Sequence, residues 1–212
     1  KAIAKEDANL YFSKNKDRLS LSMLKVLEKE RIVNLIRWWL DVNKQMMPSK
    51  KTMSELYKQI ENVKKDSLLN IDISESMSIK AYRDELFLVE KTIKIDPYEL
   101  IWRGEGVVEL PGNSKLIFKK SLGSGFSLSK IGSKTLTIQN RNGGESFKPK
   151  KNQPTRTLKY LLQTSNIPPW KRQLMPLVFS ENELVAVPDF GIHYQFQTDK
   201  EEYGWDINWV IN

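Results

Sequence analysis

Few residues in this chain are of a type that makes or breaks bonds. There is one histidine, His193, with Asp189 four positions before it, and there is no cysteine. Histidine and aspartate could supply the base and the orienting acid of a hydrolytic triad. A triad also needs a nucleophile on a sharp elbow, and nothing in the sequence resembles one. His193, beside Tyr194 and Phe196, therefore reads as an ordinary strand histidine. Gly123-Ser124-Gly125 lacks the third glycine of a dinucleotide fingerprint and the Gly-Lys-Ser/Thr ending of a phosphate loop, so it reads as a turn. Glu201 and Glu202 are adjacent, and adjacent side chains on a strand point to opposite faces, which suits a solvated turn better than a shared ion. Without cysteine there is no disulfide, zinc–thiolate cluster, iron–sulfur centre or thiol nucleophile, and a reducing, cytoplasmic setting is expected. No catalytic, cofactor-binding or metal-ligating residue is assigned.

What the sequence does hold is charge. The 212 residues carry 34 Lys and Arg against 26 Asp and Glu, a net +8. Residues 141–172 hold eight basic side chains and one acidic, Glu145, for a net of +7. From 173 onward the balance reverses to −6. A concentrated cationic band attracts polyanions, and since no amphipathic basic helix with a broad apolar face accompanies it, nucleic acid fits better than membrane. The competing interpretation is a solvated lysine-rich surface. No stretch approaches the roughly 18 apolar residues of a spanning helix. The opening Lys1-Ala2-Ile3-Ala4-Lys5-Glu6-Asp7 has no hydrophobic signal region, and a start at lysine suggests a piece of something longer.

The elements that would carry this band follow from periodicity. Ile32, Leu35, Ile36, Trp39 and Leu40 recur at helical spacing, with Arg31, Asn34, Arg37 and Asp41 opposite. After Met47-Pro48, Ser49 is a candidate N-cap for a second helix in which Met53, Leu56, Tyr57 and Ile60 repeat the pattern to about residue 64. The period then falls to two: Leu69, Ile71 and Ile73, then Met77, Ile79 and Ala81, with a turn at Arg83-Asp84-Glu85 before residues 86–90. Ile95-Asp96-Pro97-Tyr98 is the best linker. Beyond it, short strands at 115–121 and 134–139 are separated by glycine turns. A helix capped by Thr155 with a Leu158, Leu161, Leu162 stripe is expected to close at Pro168-Pro169. A hairpin of 177–179 with 184–187, and strands at 192–197 and 205–211, complete the chain. Trp39, Trp205 and Trp209 fit core positions. The class is α+β: a small helical domain with a β-hairpin appendage over 1–95, then a mixed α+β domain with an antiparallel sheet over 96–212.

Within the band, Arg141-Asn142-Gly143-Gly144 places an arginine before a glycine turn whose backbone N–H groups could meet a phosphate. Lys148, Lys150 and Lys151 lie on a Pro-containing loop that leads to a helix start, itself an anion site. Arg156 and Lys159 would share one side of that helix, and Lys171 and Arg172 follow the rigid Pro168-Pro169-Trp170 exit. Arg141, Lys148, Lys150, Lys151, Arg156, Lys159, Lys171 and Arg172 are the candidate contacts, with Arg141 alternatively bracing its own loop.

These residues resemble a known family. Arg141-Asn142-Gly143-Gly144, Arg156-x-Leu158-Lys159, Ile167-Pro168-Pro169-Trp170-Lys171-Arg172, Met175-Pro176-Leu177 and Leu184-Val185-Ala186-Val187 look like the last domain of bacterial tRNA(Ile)-lysidine synthetase. Ile36-Arg37-Trp38-Trp39-Leu40, Met47-Pro48-Ser49 and the hairpin with Tyr82 and Leu86 are similar to that family's middle, substrate-binding domain. The likeness is weakest over 96–134, and Ala81, Thr157 and Tyr160 stand where basic residues are common in the family. The resemblance implies a ligase that adenylylates C2 of the wobble cytidine of a CAU-anticodon isoleucine tRNA with ATP, after which lysine displaces AMP. It also implies that the ATP, Mg2+ and lysine sites lie in an N-terminal domain with a Ser-Gly-Gly-x-Asp-Ser loop, a motif this sequence lacks. The segment would then bind tRNA without catalysing, with a homodimeric parent left open. A free-standing RNA-binding or protein-interaction module is the alternative, and a hydrolase using Asp189 and His193 is a third.

Overall fold

The computed structural model describes residues 18–63, 69–91 and 95–211. The opening seven residues discussed above lie outside them. The chain divides into two compact units, Lys1–Thr92 and Ile93–Asn212.

In the first unit a short strand, β1 (Arg18–Ser20), runs into a single helical turn, α1 (Leu21–Leu24). Two amphipathic helices follow, α2 (Lys29–Val42) and α3 (Lys50–Asn62). The stripe on α2 is as periodicity predicts, with Ile32, Leu35, Ile36, Trp39 and Leu40 all buried. Ser49 caps α3, its hydroxyl accepting from the Thr52 amide at 3.1 Å, and Met53, Leu56 and Ile60 face inward. Such a cap satisfies one of the four amides that a helix start leaves without partners. Next come β2 (Asn70–Asp72), β3 (Met77–Tyr82) and β4 (Glu85–Glu90). Together with β1 they make an antiparallel sheet in the order β1-β4-β3-β2. The turn joining β3 to β4 is tight, with Arg83 at φ 55°. Helices and sheet share one core through Leu19, Leu56, Leu69 and Ile79.

The second unit is built on two antiparallel sheets. β5 (Glu99–Trp102), β6 (Val107–Leu110) and β7 (Ser114–Leu122) come first, then a one-turn helix, α4 (Leu128–Ile131), and β8 (Leu136–Asn140). Two-residue strands β9 (Ser146–Phe147) and β10 (Arg156–Thr157) pair with each other, and α5 (Leu158–Thr164) and α6 (Pro169–Leu174) follow. The chain then makes β11 (Pro176–Ser180), β12 (Glu183–Val187), β13 (Gly191–Ile192), a 3-10 turn at Tyr194–Phe196 and β14 (Tyr203–Ile211). One sheet has the order β13-β12-β11-β8-β5 and the other β14-β7-β6. The strand expected over 192–197 is therefore not formed. After Ile192 the His193 amide donates to the Val185 carbonyl at 2.8 Å, and the backbone curls into the 3-10 turn, where the Phe196 amide reaches the His193 carbonyl at 2.9 Å.

An aromatic cluster centres the second unit. Trp102 stacks on Phe118 at 4.8 Å and meets Phe126 and Trp205 edge-on at 5.6 and 5.2 Å. Trp205 and Trp209, four apart on β14, both turn to this core, and Trp39 is fully buried in the first unit, so these tryptophans serve packing. Gly125 has φ 86°, and a Cβ there would come within 2.2 Å of the Trp205 carbonyl carbon, so only glycine lets this turn lie against β14.

Candidate nucleic-acid interface

The cationic band begins where β8 ends, and its first arginine points inward. Arg141 Nε lies 3.1 Å from Glu145 Oε2, with the two side chains only 13% and 9% exposed. The other carboxylate oxygen of Glu145 accepts from the amides of Asn142 and Gly143 at 2.9 and 2.6 Å. Gly143 and Gly144, at φ 92° and 84°, allow the backbone to curl around it. The anion-binding curve expected at the two glycines thus exists, but the chain's own carboxylate fills it. Arg141 is a brace, one of the two roles its position before the glycines allows.

Two further expectations change with the local fold. Thr155 does not cap the helix. Arg156 and Thr157 are extended, paired with Phe147 and Ser146, and Thr157 is the cap, its Oγ1 accepting from the Tyr160 amide at 3.3 Å. The Leu158 amide is taken by the Glu145 carbonyl at 2.7 Å, so these donors of the helix start are occupied internally. Arg156 therefore projects from a strand and Lys159 from a helix, instead of sharing one helix face. Pro168-Pro169 opens α6, with Pro169 at the first helical position, where its missing N–H costs no bond. Arg172 on that helix is buried, and its Nε donates to the Ile167 carbonyl at 2.6 Å.

Six of the eight basic residues remain toward solvent. Lys150, Lys151, Arg156 and Lys159 are exposed, and Lys148 and Lys171 are partly so. Lys148 Nζ lies 4.8 Å from the Tyr194 ring, and the Arg156 guanidinium 5.5 Å from that of Tyr160. Lys171 sits 3.9 Å from Asp189 and 5.7 Å from the Trp209 ring. Among the described residues no carboxylate pairs with Lys148, Lys150, Lys151, Arg156 or Lys159. Phe147, Leu158 and Leu162 anchor this surface to the core beneath. Tyr160 and Tyr194 enter the band although residue type had not selected them; the signal available was Tyr160 four residues after Arg156 among basic side chains.

The remaining titratable groups are held by structure. Asp189 is turned toward Lys171, while His193 lies against Phe147, Tyr194 and Phe196 at ring distances of 5.0 to 5.9 Å. Burial keeps the His193 imidazole below its ordinary pKa, and its Nδ1 has no hydrogen-bond partner among the described residues. Glu202 is more than a solvated turn residue. It accepts from the hydroxyls of Ser127 and Ser129, the latter at 2.7 Å, and from the Asp199 amide at 3.2 Å, which holds its carboxyl below the usual range. Among the described residues no group of three or more His, Cys, Asp or Glu could hold a metal, and no helix is long and apolar enough to cross a membrane.

Fold and charge together define an α+β chain of two small units, the second carrying a loop-borne cationic surface over an aromatic core. Residues 19–87 match the family model described as the TilS substrate binding domain, and residues 136–209 match the TilS substrate C-terminal domain. The chain belongs to the tRNA(Ile)-lysidine synthetase family. It is similar to the tRNA(Ile)-lysidine synthase of Nitrosomonas europaea, 30% identical over 195 residues that are 91% of this chain and 42% of that protein. The corresponding protein of Coxiella burnetii is 28% identical over 209 residues, 95% of this chain and 45% of its own. A solved structure described as a TILS C-terminal domain aligns with 55% of this chain and 98% of its own at 14% identity, with a TM-score of 0.43. The chain spans less than half the length of these curated relatives.

Proposed function

We propose that this chain is the tRNA-recognition portion of a tRNA(Ile)-lysidine synthetase. Residues 1–95 act as its middle, substrate-binding domain and residues 96–212 as its C-terminal tRNA-binding domain. In this reading the partner is a CAU-anticodon isoleucine tRNA, and the parent ligase joins lysine to C2 of the wobble cytidine using ATP and Mg2+. Those small-molecule sites belong to a catalytic domain upstream, and the 212 residues alone bind tRNA without turning over. The setting is the cytoplasm.

The single observation that carries the reading is the cationic surface of Lys148, Lys150, Lys151, Arg156 and Lys159, with which no carboxylate among the described residues pairs and to which Lys171 adds. Arg141 and Arg172, both turned inward, shape it without touching phosphate. Such a surface neutralises backbone phosphates and fixes the register of a bound RNA, while leaving base-specific chemistry to other groups. If about five of the six residues engage phosphates, log affinity should fall with log salt with a slope of about −4.

Binding of this chain to the isoleucine tRNA, followed by filter retention or fluorescence anisotropy across a salt series, tests this. Charge reversal of Arg156 and Lys159 together should weaken binding by on the order of tenfold or more and flatten the slope by about 2. Unchanged affinity and slope in that double variant would remove the assignment of the band.

A further inference from the structure

We propose that Tyr160, with Arg156 beside it, forms a stacking site for an unpaired nucleobase at the edge of the phosphate-binding surface. The proposal rests on the nucleic-acid reading above and adds to it a ligand chemistry that phosphate neutralisation does not provide. Tyr160 is 51% exposed and is absent from the side chains that pack on the core of its unit, where its helix contributes Leu158, Leu161 and Leu162 instead. Its amide fixes the residue to the Thr157 cap, so the ring projects from an ordered helix start. The Arg156 guanidinium lies 5.5 Å from the ring centroid, and Lys159 is the adjacent residue.

A solvated aromatic ring under a planar cation presents a π surface of fixed position. Every nucleobase has a π face, and base–aromatic stacking with an arginine contribution is the usual sequence-tolerant way a protein holds single-stranded nucleic acid. In a duplex those faces are already stacked on neighbouring bases, so the site is matched to a nucleotide in a loop, a bulge or a single-stranded end. Arg156 on the strand and Lys159 on the first turn of the helix, both exposed and within four residues of Tyr160, would take the flanking phosphates.

The same pairing elsewhere supplies a contrast. Tyr203 is 61% exposed, and Lys120 Nζ lies 5.4 Å from its ring centroid, yet over residues 199–206 four carboxylates, Asp199, Glu201, Glu202 and Asp206, outnumber the one lysine, Lys200. An exposed ring among carboxylates repels a polyanion, so exposure and a nearby cation are not sufficient. At Tyr160 the surrounding cations Arg156 and Lys159 have no carboxylate partner among the described residues, and the ring lies within reach of a strand they attract.

The test compares an RNA hairpin carrying a short single-stranded overhang with the same hairpin blunt-ended, titrated with the full chain at several salt concentrations. 2-Aminopurine in the overhang reports stacking through its fluorescence. The overhang should raise affinity by about 5- to 100-fold, with quenching of the probe. Tyr160→Ala should abolish both the preference and the quenching while leaving the salt slope unchanged. Tyr160→Phe should retain them, and Tyr203→Ala should match the parent chain. Equal binding of the two hairpins, or an overhang preference that survives Tyr160→Ala, overturns the stacking site while the phosphate surface stands. Failure to bind either hairpin or the tRNA overturns the nucleic-acid reading and this site with it. Circular dichroism of each variant confirms that the exposed substitutions leave the fold intact.

Discussion

Between residues 141 and 172 eight basic residues accompany one carboxylate, and from 173 onward seven carboxylates accompany one lysine. The structure spends most of the second set internally and leaves much of the first open. Glu181 and Glu183 hold Lys134 at 3.3 and 3.5 Å, Asp199 holds Lys130 at 3.2 Å, and Asp189 approaches Lys171 at 3.9 Å. Asp206 accepts from the Ser124 hydroxyl at 2.7 Å, and Glu202 serves the serines of the α4 cap. The acidic stretch therefore neutralises lysines drawn mainly from residues 130–134. The sign of a segment says little about its field until the partners of each charge are known, and here the basic residues from Lys148 to Lys159 have no carboxylate partner among the described residues.

Four measurements would break or sharpen that contrast. The largest effect is expected from Phe147→Ala, which removes a side chain 1% exposed that packs against Phe190 and His193 beneath the cationic loop. Urea denaturation should show a loss of about 3–5 kcal/mol. Glu145→Ala should cost about 1–3 kcal/mol in the same assay, because it strands Arg141 and two loop amides. Glu145→Gln, which keeps an acceptor for the two loop amides but loses the ion pair with Arg141, should cost less, and no loss of stability in Glu145→Ala would deny the carboxylate its bracing role. In RNA binding, Lys150→Glu should weaken affinity several-fold, whereas Lys134→Glu, already neutralised by two glutamates, should change it by less than about twofold. Equal effects would erase the distinction between paired and open cations.

The smallest effect concerns His193. Burial lowers its pKa in the folded chain, with Lys148 adding to the depression and Glu183 opposing it. The unfolded chain then binds the proton more readily, so the contribution to stability is full above the ordinary histidine value of about 6.5 and is lost as pH falls below it. Denaturation midpoints at about pH 7.5 and about pH 5.5 should differ in the parent chain, and the difference should shrink in His193→Phe. A difference unchanged by that substitution would assign the pH dependence to other groups.

Elements whose periodicity is local were readable in the sequence. The α2 stripe and the Ser49 cap follow from residues within two turns of one another, and the β11–β12 hairpin follows from two apolar runs around Glu181-Asn182. β1 was not readable, because three residues acquire strand geometry only by pairing with Glu85–Phe87, some 67 positions away. The cap moved from Thr155 to Thr157 for a related reason: both are threonines before the same leucine stripe, and only the β9–β10 pairing selects between them. Among the basic residues, type identified the region, but direction required partners. Arg141 and Arg172 are turned inward by a carboxylate and by the Ile167 carbonyl, neither of which a count of charges locates.

β14 pairs along its whole length with β7, from Tyr203 against Leu122 to Ile211 against Ser114. Every residue of the cationic loop lies in the stretch of chain between these two strands. Closing so long a loop is slow compared with forming local helices and hairpins, since its entropy is lost before the non-local contacts form. The sheet that closes the second unit can therefore assemble only after residues 203–211 have left the ribosome.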